Sequence, residues 1–120
     1  MDIEERIIKA IEDTKDELNT LDIDPTCYIY CSVLAEHLDN ERLHNQIVST
    51  TEYEYPYEHQ FNMVPKDDDY FYIIDLKFKP FQASKFNELL QKGYMLVNIE
   101  ECKEYLDVVG NTQVDIRKKY

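Results

Sequence analysis

The most informative segment of the chain covers residues 58–78 and reads EHQFNMVPKDDDYFYIIDLKF. Aromatic and β-branched residues are frequent on both sides of a short charged stretch at residues 65–69. That composition, with a period near two, is typical of β-strands, and the charged stretch is typical of a turn. The segment therefore predicts a β-hairpin whose strands are Glu58 to Val64 and Tyr70 to Phe78.

The same hairpin brings a histidine and an aspartate together. With a five-residue loop at 65–69, Val64 pairs with Tyr70, and His59 then lies directly opposite Asp75. Opposed Cβ atoms are about 5 Å apart, which suits a carboxylate that holds an imidazole, whereas a one-residue slip would separate the two side chains onto opposite faces. Asp75 also lies in an apolar run, where a buried carboxylate needs a partner to offset its desolvation.

Two helices are predicted before the hairpin. Residues 2–19 form an amphipathic pattern with isoleucines and a leucine on one face. A second helix is expected from Thr26, which suits an N-cap, to about Leu38 or Asn40. Cys27 then lies in the first turn of this helix, where free N–H groups and the helix dipole favour a thiolate.

The remaining chain predicts alternating strands and helices. The expected elements are a strand over Gln46 to Tyr55, a helix over Ser84 to Lys92 closed by Gly93, a strand over Tyr94 to Val97, and a helix over Ile99 to Val109 closed by Gly110. The prediction is one α+β domain over residues 1–110, with residues 111–120 as a polar tail or a late edge strand.

Composition narrows the classes of function. The chain has 120 residues and a net charge of −12, which repels nucleic-acid phosphates and favours a basic protein partner. No stretch approaches the roughly 20 apolar residues of a membrane helix, and the acidic start is not a signal peptide. Three cysteines without a disulfide spacing are expected to be reduced. We therefore expect a cytoplasmic protein, or one delivered to a host cytosol, with no nucleic-acid or membrane binding.

Cys27, His59 and Asp75 are the candidate catalytic residues. A thiol nucleophile needs a lowered pKa, a base within hydrogen-bonding distance and a third group that orients the base. If the second helix packs on the face of the hairpin that carries His59 and Asp75, Cys27 reaches His59. A cysteine at a helix start, followed by histidine and aspartate on antiparallel strands, is the geometry of thiol acyl-transfer sites.

Three stretches resemble the transglutaminase-like and papain-like cysteine-protease-fold superfamily. Cys27-Tyr28-Ile29-Tyr30-Cys31 is similar to its nucleophile helix, and His59-Gln60-Phe61-Asn62-Met63-Val64 to its histidine strand. Tyr72-Ile73-Ile74-Asp75-Leu76-Lys77-Phe78, followed by Phe81, is similar to its aspartate strand. The resemblance covers residues 25–81. It departs from the family pattern at Thr26, where a glycine is frequent, and at Lys77, where a threonine is common.

The resemblance implies an α+β papain-like or transglutaminase-like core, with the nucleophile helix packed on a small antiparallel sheet and with flanking N- and C-terminal helices. It implies cleavage or exchange at an amide of a protein or peptide, as in deamidases, transamidases and peptidases, including bacterial ones. Cys27 would form a thioester, with His59 as the base and Asp75 as its orienting group, and no cofactor is implied. The backbone N–H of Cys27 is a candidate oxyanion donor, with Gln46 or Gln60 as a second.

Other interpretations remain open. Cys27 and Cys31 also suit small core residues on one helix stripe, because free cysteine is among the most buried residue types. A zinc site would need Cys27, Cys31, Cys102 and a histidine, but the spacing lacks a Cys-x2-Cys pair. A different class of function is a non-enzymatic acidic interaction or inhibitor protein, such as a phage or mobile-element antagonist, that uses an inert version of this fold to bind a basic partner.

Overall fold

The computed structural model describes residues 2–22, 25–51, 58–76, 86–108 and 113–119. Its helices are α1 (Ile3–Thr20), α2 (Cys27–Asn40), α3 (Asn87–Lys92) and α4 (Ile99–Val108). Its strands are β1 (Asn45–Thr51), β2 (Glu58–Pro65), β3 (Tyr70–Ile74), β4 (Tyr94–Asn98) and β5 (Gln113–Lys119). The five strands form one sheet in the order β4-β3-β2-β1-β5, and each neighbouring pair is antiparallel. The predicted α+β class is therefore confirmed.

The two N-terminal helices form where their sequence patterns predict them. Asp2 caps α1 by accepting a hydrogen bond from the Glu5 N–H at 2.8 Å. Thr26 is the N-cap of α2, and its hydroxyl accepts from the Ile29 N–H at 3.5 Å, which is long for such a bond. Cys27 is consequently the first residue of α2, as expected from the sequence.

The sheet has helices on both faces, because its strands alternate apolar residues toward each side. The cluster on the first face joins α1 and α2 to the sheet through Ile7, Ala10, Ile11, Leu34, Leu38, Leu43, Val64, Tyr72, Ile74 and Tyr94. The cluster on the second face joins α3 and α4 to the sheet through Val48, Phe61, Ile73, Phe86, Leu89, Val97 and Tyr105. Each face of the central strands is therefore buried, and the site described below lies between the two layers.

The predicted register of the β2–β3 hairpin is wrong by two residues. Val64 pairs with Tyr72 rather than with Tyr70, and the pair nearest the loop joins Pro65 to Phe71. Pro65 lacks an N–H but remains in the ladder as its last residue, so the loop starts later than expected. The Asp67 carboxylate closes this loop by accepting from the N–H groups of Asp69 and Tyr70, both at 2.9 Å. A shift of two preserves the face of every side chain.

The C-terminal elements agree with the predictions where the structure describes them. Gly93 ends α3 in the left-handed conformation with φ of 83°, and its N–H donates to the Leu89 carbonyl. A Cβ at Gly93 would lie 2.7 Å from Leu76 Cδ2, so a side chain does not fit there without movement. Residues 113–119 form the edge strand β5 beside β1, which was one of the two expectations for the tail.

Several expectations fall outside the described residues. These are the end of the first predicted strand after Thr51, the positions of Lys77, Phe78 and Phe81, the start of the predicted helix at Ser84, and the closure of α4 by Gly110. The predicted strand from Tyr70 to Phe78 is too long at its C-terminal end, because β3 ends at Ile74 and the described residues Asp75 and Leu76 are not in a strand. Within the described residues, no helix is long and apolar enough to cross a membrane.

Candidate functional site

The first turn of α2 places the Cys27 sulfur beside β2. Cys27 is half-buried, and hydrogen bonding by the His59 side chain and by the Gln60 backbone lowers the pKa of its thiol. Gln60 lies beyond the last β2–β3 pair, which joins Asn62 to Ile74. The thiol therefore accepts an N–H from a part of β2 that β3 does not cover.

His59 and Asp75 form a hydrogen-bonded pair. The distance from His59 Nε2 to Asp75 Oδ2 is 2.6 Å, and the side chains are 21% and 1% exposed respectively. Although the register differs from the predicted one, the shift of two residues leaves both side chains on one face, so a diagonal contact replaces the direct one. Because Nε2 contacts the carboxylate, Nδ1 is the ring nitrogen that remains for the Cys27 thiol.

The Asp75 carboxylate has a further donor that the sequence did not reveal. The Tyr105 hydroxyl, from the middle of α4, donates to Asp75 Oδ2, the same oxygen that contacts His59. The backbone N–H of Asp75 donates to the Gly93 carbonyl at 2.9 Å, which ties the residue to the turn between α3 and β4. A buried carboxylate requires several donors, but the ten tyrosines of the sequence offer no local signal for choosing Tyr105.

Cys27 reaches His59 although α2 does not pack on the face that carries His59, which was the condition stated for this contact. The Asn62 amide donates to the Cys31 carbonyl of α2 at 3.1 Å, so α2 lies on the face of the even-numbered β2 residues. Phe61, on the other face, packs edge-on against Tyr105 of α4. The site therefore joins opposite layers: the thiol comes from the α2 side and the carboxylate from the α4 side. They meet because β3 ends at Ile74.

The pKa of the Cys27 thiol is lowered from its ordinary value. Burial raises this pKa, and the negative charge of Asp75 does so to a lesser extent. The hydrogen bonds from His59 and from the Gln60 backbone, together with the charge of His59, outweigh both effects. The local environment thus favours a thiolate at Cys27.

The pKa of His59 changes in the complementary direction. Burial lowers it, but the hydrogen bonds to Asp75 and Cys27 and the negative charges of both residues raise it from 6.5 to about 9. The two shifts are in the directions expected when a thiol and an imidazole stabilise each other's charged forms, as in a thiolate–imidazolium pair.

The other two cysteines lie in environments that suppress reactivity. Cys31 is 4% exposed, and burial, followed by the charges of Asp75 and Cys27, raises the pKa of its thiol strongly. Burial also raises the pKa of Cys102, which is half-buried on α4. Both are reduced thiols in the structure, as is Cys27.

A small cleft of about 180 Å³, part of it open to solvent, lies next to the thiol. Its lining residues are Cys27, Tyr30, Cys31, Leu34, Gln60, Asn62, Asp75 and Leu76. The Gln60 side chain, one of the expected oxyanion donors, uses one of its two amide N–H groups to donate to the Ser49 hydroxyl at 2.8 Å. Its backbone N–H contacts the Cys27 sulfur. Gln46 is not among the described residues that line the cleft.

The predicted site residues are therefore brought together, and their hydrogen bonds run from the thiol through the imidazole to the carboxylate and the tyrosine. Across the part of the chain that the structure describes, no group of three or more histidine, cysteine, aspartate or glutamate side chains could hold a metal ion. The arrangement is suited to covalent catalysis by a thiolate with an adjacent acid and base.

Comparisons with known proteins identify no relative. No family model matches the chain, and neither the search of curated proteins nor the search of solved structures finds a match. The assignment of function therefore depends on the site itself.

Proposed function

We propose that the protein is a cysteine-dependent amide hydrolase or acyl transferase that acts on a protein or peptide. The observation that carries the proposal is the hydrogen-bonded series Cys27–His59–Asp75, in which the thiol pKa is lowered and the imidazole pKa is raised. The α+β sheet with a cysteine at a helix start is compatible with a papain-like or transglutaminase-like core, and that kinship is part of the proposal. The setting we propose is a cytosol, its own or a host's, where the thiols stay reduced.

The proposed reaction has two acyl-transfer steps. The Cys27 thiolate attacks the carbonyl carbon of the substrate amide, and the His59 imidazolium gives its proton to the departing nitrogen as the C–N bond breaks. A thioester on Cys27 remains. Water then attacks the thioester carbon in hydrolysis, or an amine attacks it in transfer, while neutral His59 takes a proton from the attacking group. The C–S bond breaks and the Cys27 thiolate leaves, which restores the starting thiolate and imidazolium. Asp75 holds the imidazole orientation throughout.

The first turn of α2 is the proposed source of oxyanion stabilisation. The Cys27 N–H belongs to the group of amides that a helix leaves without an intrahelical acceptor, and the positive end of the helix dipole lies there. A tetrahedral intermediate on Cys27 would place its oxygen near this amide. In this proposal the substrate amide approaches the sulfur from the solvent side of the small cleft.

The test uses the nucleophile variant to find the substrate and the wild-type protein to modify it. Proteins captured by Cys27→Ser are incubated with wild-type protein, with and without a primary amine such as methylamine, and analysed by mass spectrometry. We expect a one-dalton increase, a cut or an incorporated amine at a defined site. Wild-type and Cys102→Ser proteins should produce this change, and Cys27→Ser and Cys27→Ala proteins should not. A product that forms equally with Cys27→Ala would overturn the proposal.

A second candidate is an acidic interaction or inhibitor protein that binds a basic partner. The observation that favours it is the charge of −12, together with the exposed carboxylates of α1, among them Glu5, Glu12 and Asp16. Binding of this kind weakens steeply with ionic strength and needs no thiol. This candidate is favoured over the enzyme if biological activity survives Cys27→Ala and is lost when the salt concentration is raised from low to high.

A further inference from the structure

Tyr105 is buried against the carboxylate that the proposed mechanism uses. Its side chain is 0% exposed, and its ring packs edge-on against Phe61 and Phe86 with centroid distances of 4.9 and 5.5 Å. These contacts hold the ring of Tyr105, and its hydroxyl donates to Asp75 Oδ2. A polar group at the centre of an apolar cluster is costly unless its hydrogen bond serves the structure or the chemistry.

We propose that Tyr105 is a positioning residue that stabilises the Asp75 carboxylate when His59 has released its proton. The inference rests on the proposed function, because it assigns Tyr105 a task within that reaction. Tyr105 acts through Asp75 and His59 and does not contact the thiol chemistry directly. Its contribution depends on which protonation state His59 occupies.

The physical argument concerns the charge of the buried pair. While His59 is an imidazolium, its positive charge balances the Asp75 carboxylate across a 2.6 Å contact. When the proton leaves for the departing nitrogen, His59 becomes neutral and Asp75 remains as a negative charge whose side chain is 1% exposed. A hydroxyl donor is worth more to an unbalanced carboxylate than to a neutralised one. Tyr105 therefore favours the neutral state of His59 and helps the imidazolium act as an acid.

The decisive variant is Tyr105→Phe, which keeps the ring and its edge-on contacts and removes only the hydroxyl. Loss of the donor destabilises the state with neutral His59 more than the state with charged His59. We expect the pKa of His59 to rise by about half a unit or more, as read from its ring signals by NMR titration. An unchanged or lowered pKa of His59 in a folded Tyr105→Phe protein would overturn the proposal.

Tyr94→Phe is the matched control. Tyr94 is also a buried tyrosine, 8% exposed, and its hydroxyl donates to a carboxylate oxygen of Glu4 at 2.7 Å. That contact joins β4 to α1 on the face of the sheet opposite Tyr105, and the backbone next to Tyr94 is the Gly93 carbonyl that accepts from the Asp75 N–H, which the substitution does not alter. The substitution therefore removes the same kind of hydrogen bond but should leave the pKa of His59 unchanged. If both variants raise it equally, the effect is a general loss of packing, and the assignment to Tyr105 is wrong.

A kinetic measurement with 4-nitrophenyl acetate separates positioning from loosening of the site. The thiolate forms an acetyl thioester and releases nitrophenolate without a proton from His59, whereas hydrolysis of the thioester needs neutral His59 as a base. In Tyr105→Phe we expect the initial burst of nitrophenolate to be undiminished. The pH profile of the deacylation rate should move its midpoint to higher pH, so that deacylation at neutral pH is roughly threefold or more slower. Equal slowing of both phases would indicate a structural lesion and overturn the proposal.

The outcomes for Tyr105 and for the proposed function are distinguishable. The NMR titration needs no substrate, so a raised pKa of His59 in Tyr105→Phe supports the coupling even if the wild-type protein modifies no amide. Failure of the proposed function would instead appear as the absence of any Cys27-dependent product in the wild-type protein.

Discussion

The first and second turns of α2 carry chemically identical side chains in opposite environments. Cys27 and Cys31 are four residues apart and lie on the same side of the helix. The pKa of Cys27 is lowered despite its burial, because His59 and the Gln60 N–H stabilise its thiolate. The pKa of Cys31 is raised by burial, with the nearby Asp75 and Cys27 charges acting in the same direction.

The two cysteines show how position in this fold changes the pKa of a thiol. Both residues lie on the same apolar stripe of α2, so the stripe alone cannot distinguish a nucleophile from a core residue. The difference comes from position along the helix axis. Cys27 lies in the first turn of the helix, where it reaches His59 and the Gln60 backbone near the start of β2, whereas Cys31 packs with Ala35 and Ile47.

The largest expected effect is a direct test of this contrast. At pH 7, iodoacetamide should alkylate Cys27 at least about 100-fold faster than Cys31, because only the thiolate reacts and the two pKa values shift in opposite directions. Time-resolved peptide mass spectrometry measures both rates in one sample. Equal rates, or faster labelling of Cys31, would remove the basis for the proposed nucleophile.

Asp75→Asn should reduce the contrast by acting through His59. The substitution keeps the shape of the side chain and removes the charge that raises the pKa of His59. We expect this pKa to fall by more than about one unit and Cys27 alkylation at neutral pH to slow about tenfold. Asp68→Asn, at the exposed hairpin tip, is the matched control and should change neither quantity.

Asp75→Asn also predicts a pH-dependent change in stability. A histidine whose pKa is raised from 6.5 to about 9 stabilises the folded state fully below pH 6.5, and this contribution is lost as the pH rises through about 9. The free energy of unfolding of the wild-type protein should therefore exceed that of Asp75→Asn most at pH 6 and least at pH 9.5, as measured by urea denaturation. A difference that is constant with pH would show that His59 and Asp75 are not coupled.

Cys31→Ala should have the converse phenotype. The side chain is 4% exposed and packs in the core, so its truncation should lower the free energy of unfolding by about 1 kcal/mol. Cys27 should retain its alkylation rate within about twofold, because none of the groups that lower its pKa is removed. A large loss of Cys27 reactivity would mean that the two turns are not independent.

The smallest effect is expected for Cys102→Ala. Cys102 is half-buried on α4 and packs at the edge of the cluster that contains Tyr105. We expect a loss of about 0.5 kcal/mol or less and unchanged labelling of Cys27, checked in the same two assays. Slower labelling of Cys27 would show that packing changes in α4 reach Asp75. The effect of Tyr105→Phe would then have to be compared with that of Cys102→Ala.

Local rules predicted the elements and the identities of the site residues. The period-two pattern after Glu58 predicted β2, the Thr26 cap predicted the start of α2, and Gly93 predicted the end of α3. Each depends on interactions between residues that are near one another in the chain, so the sequence contains the necessary information. The pairing of His59 with Asp75 was also predicted, although the register used to predict it was wrong.

Non-local packing determined the rest. Contacts between distant segments place α2 on one face of the sheet and α4 on the other. Such contacts also end β3 at Ile74, which leaves the Gln60 N–H to the thiol, and they bring Tyr105 to Asp75. The alternation of a strand constrains which face a side chain occupies but not which helix covers that face. The sequence was therefore sufficient to nominate the thiol, the imidazole and the carboxylate, whereas only the tertiary structure determined their relative positions, and through them the charge state of each group.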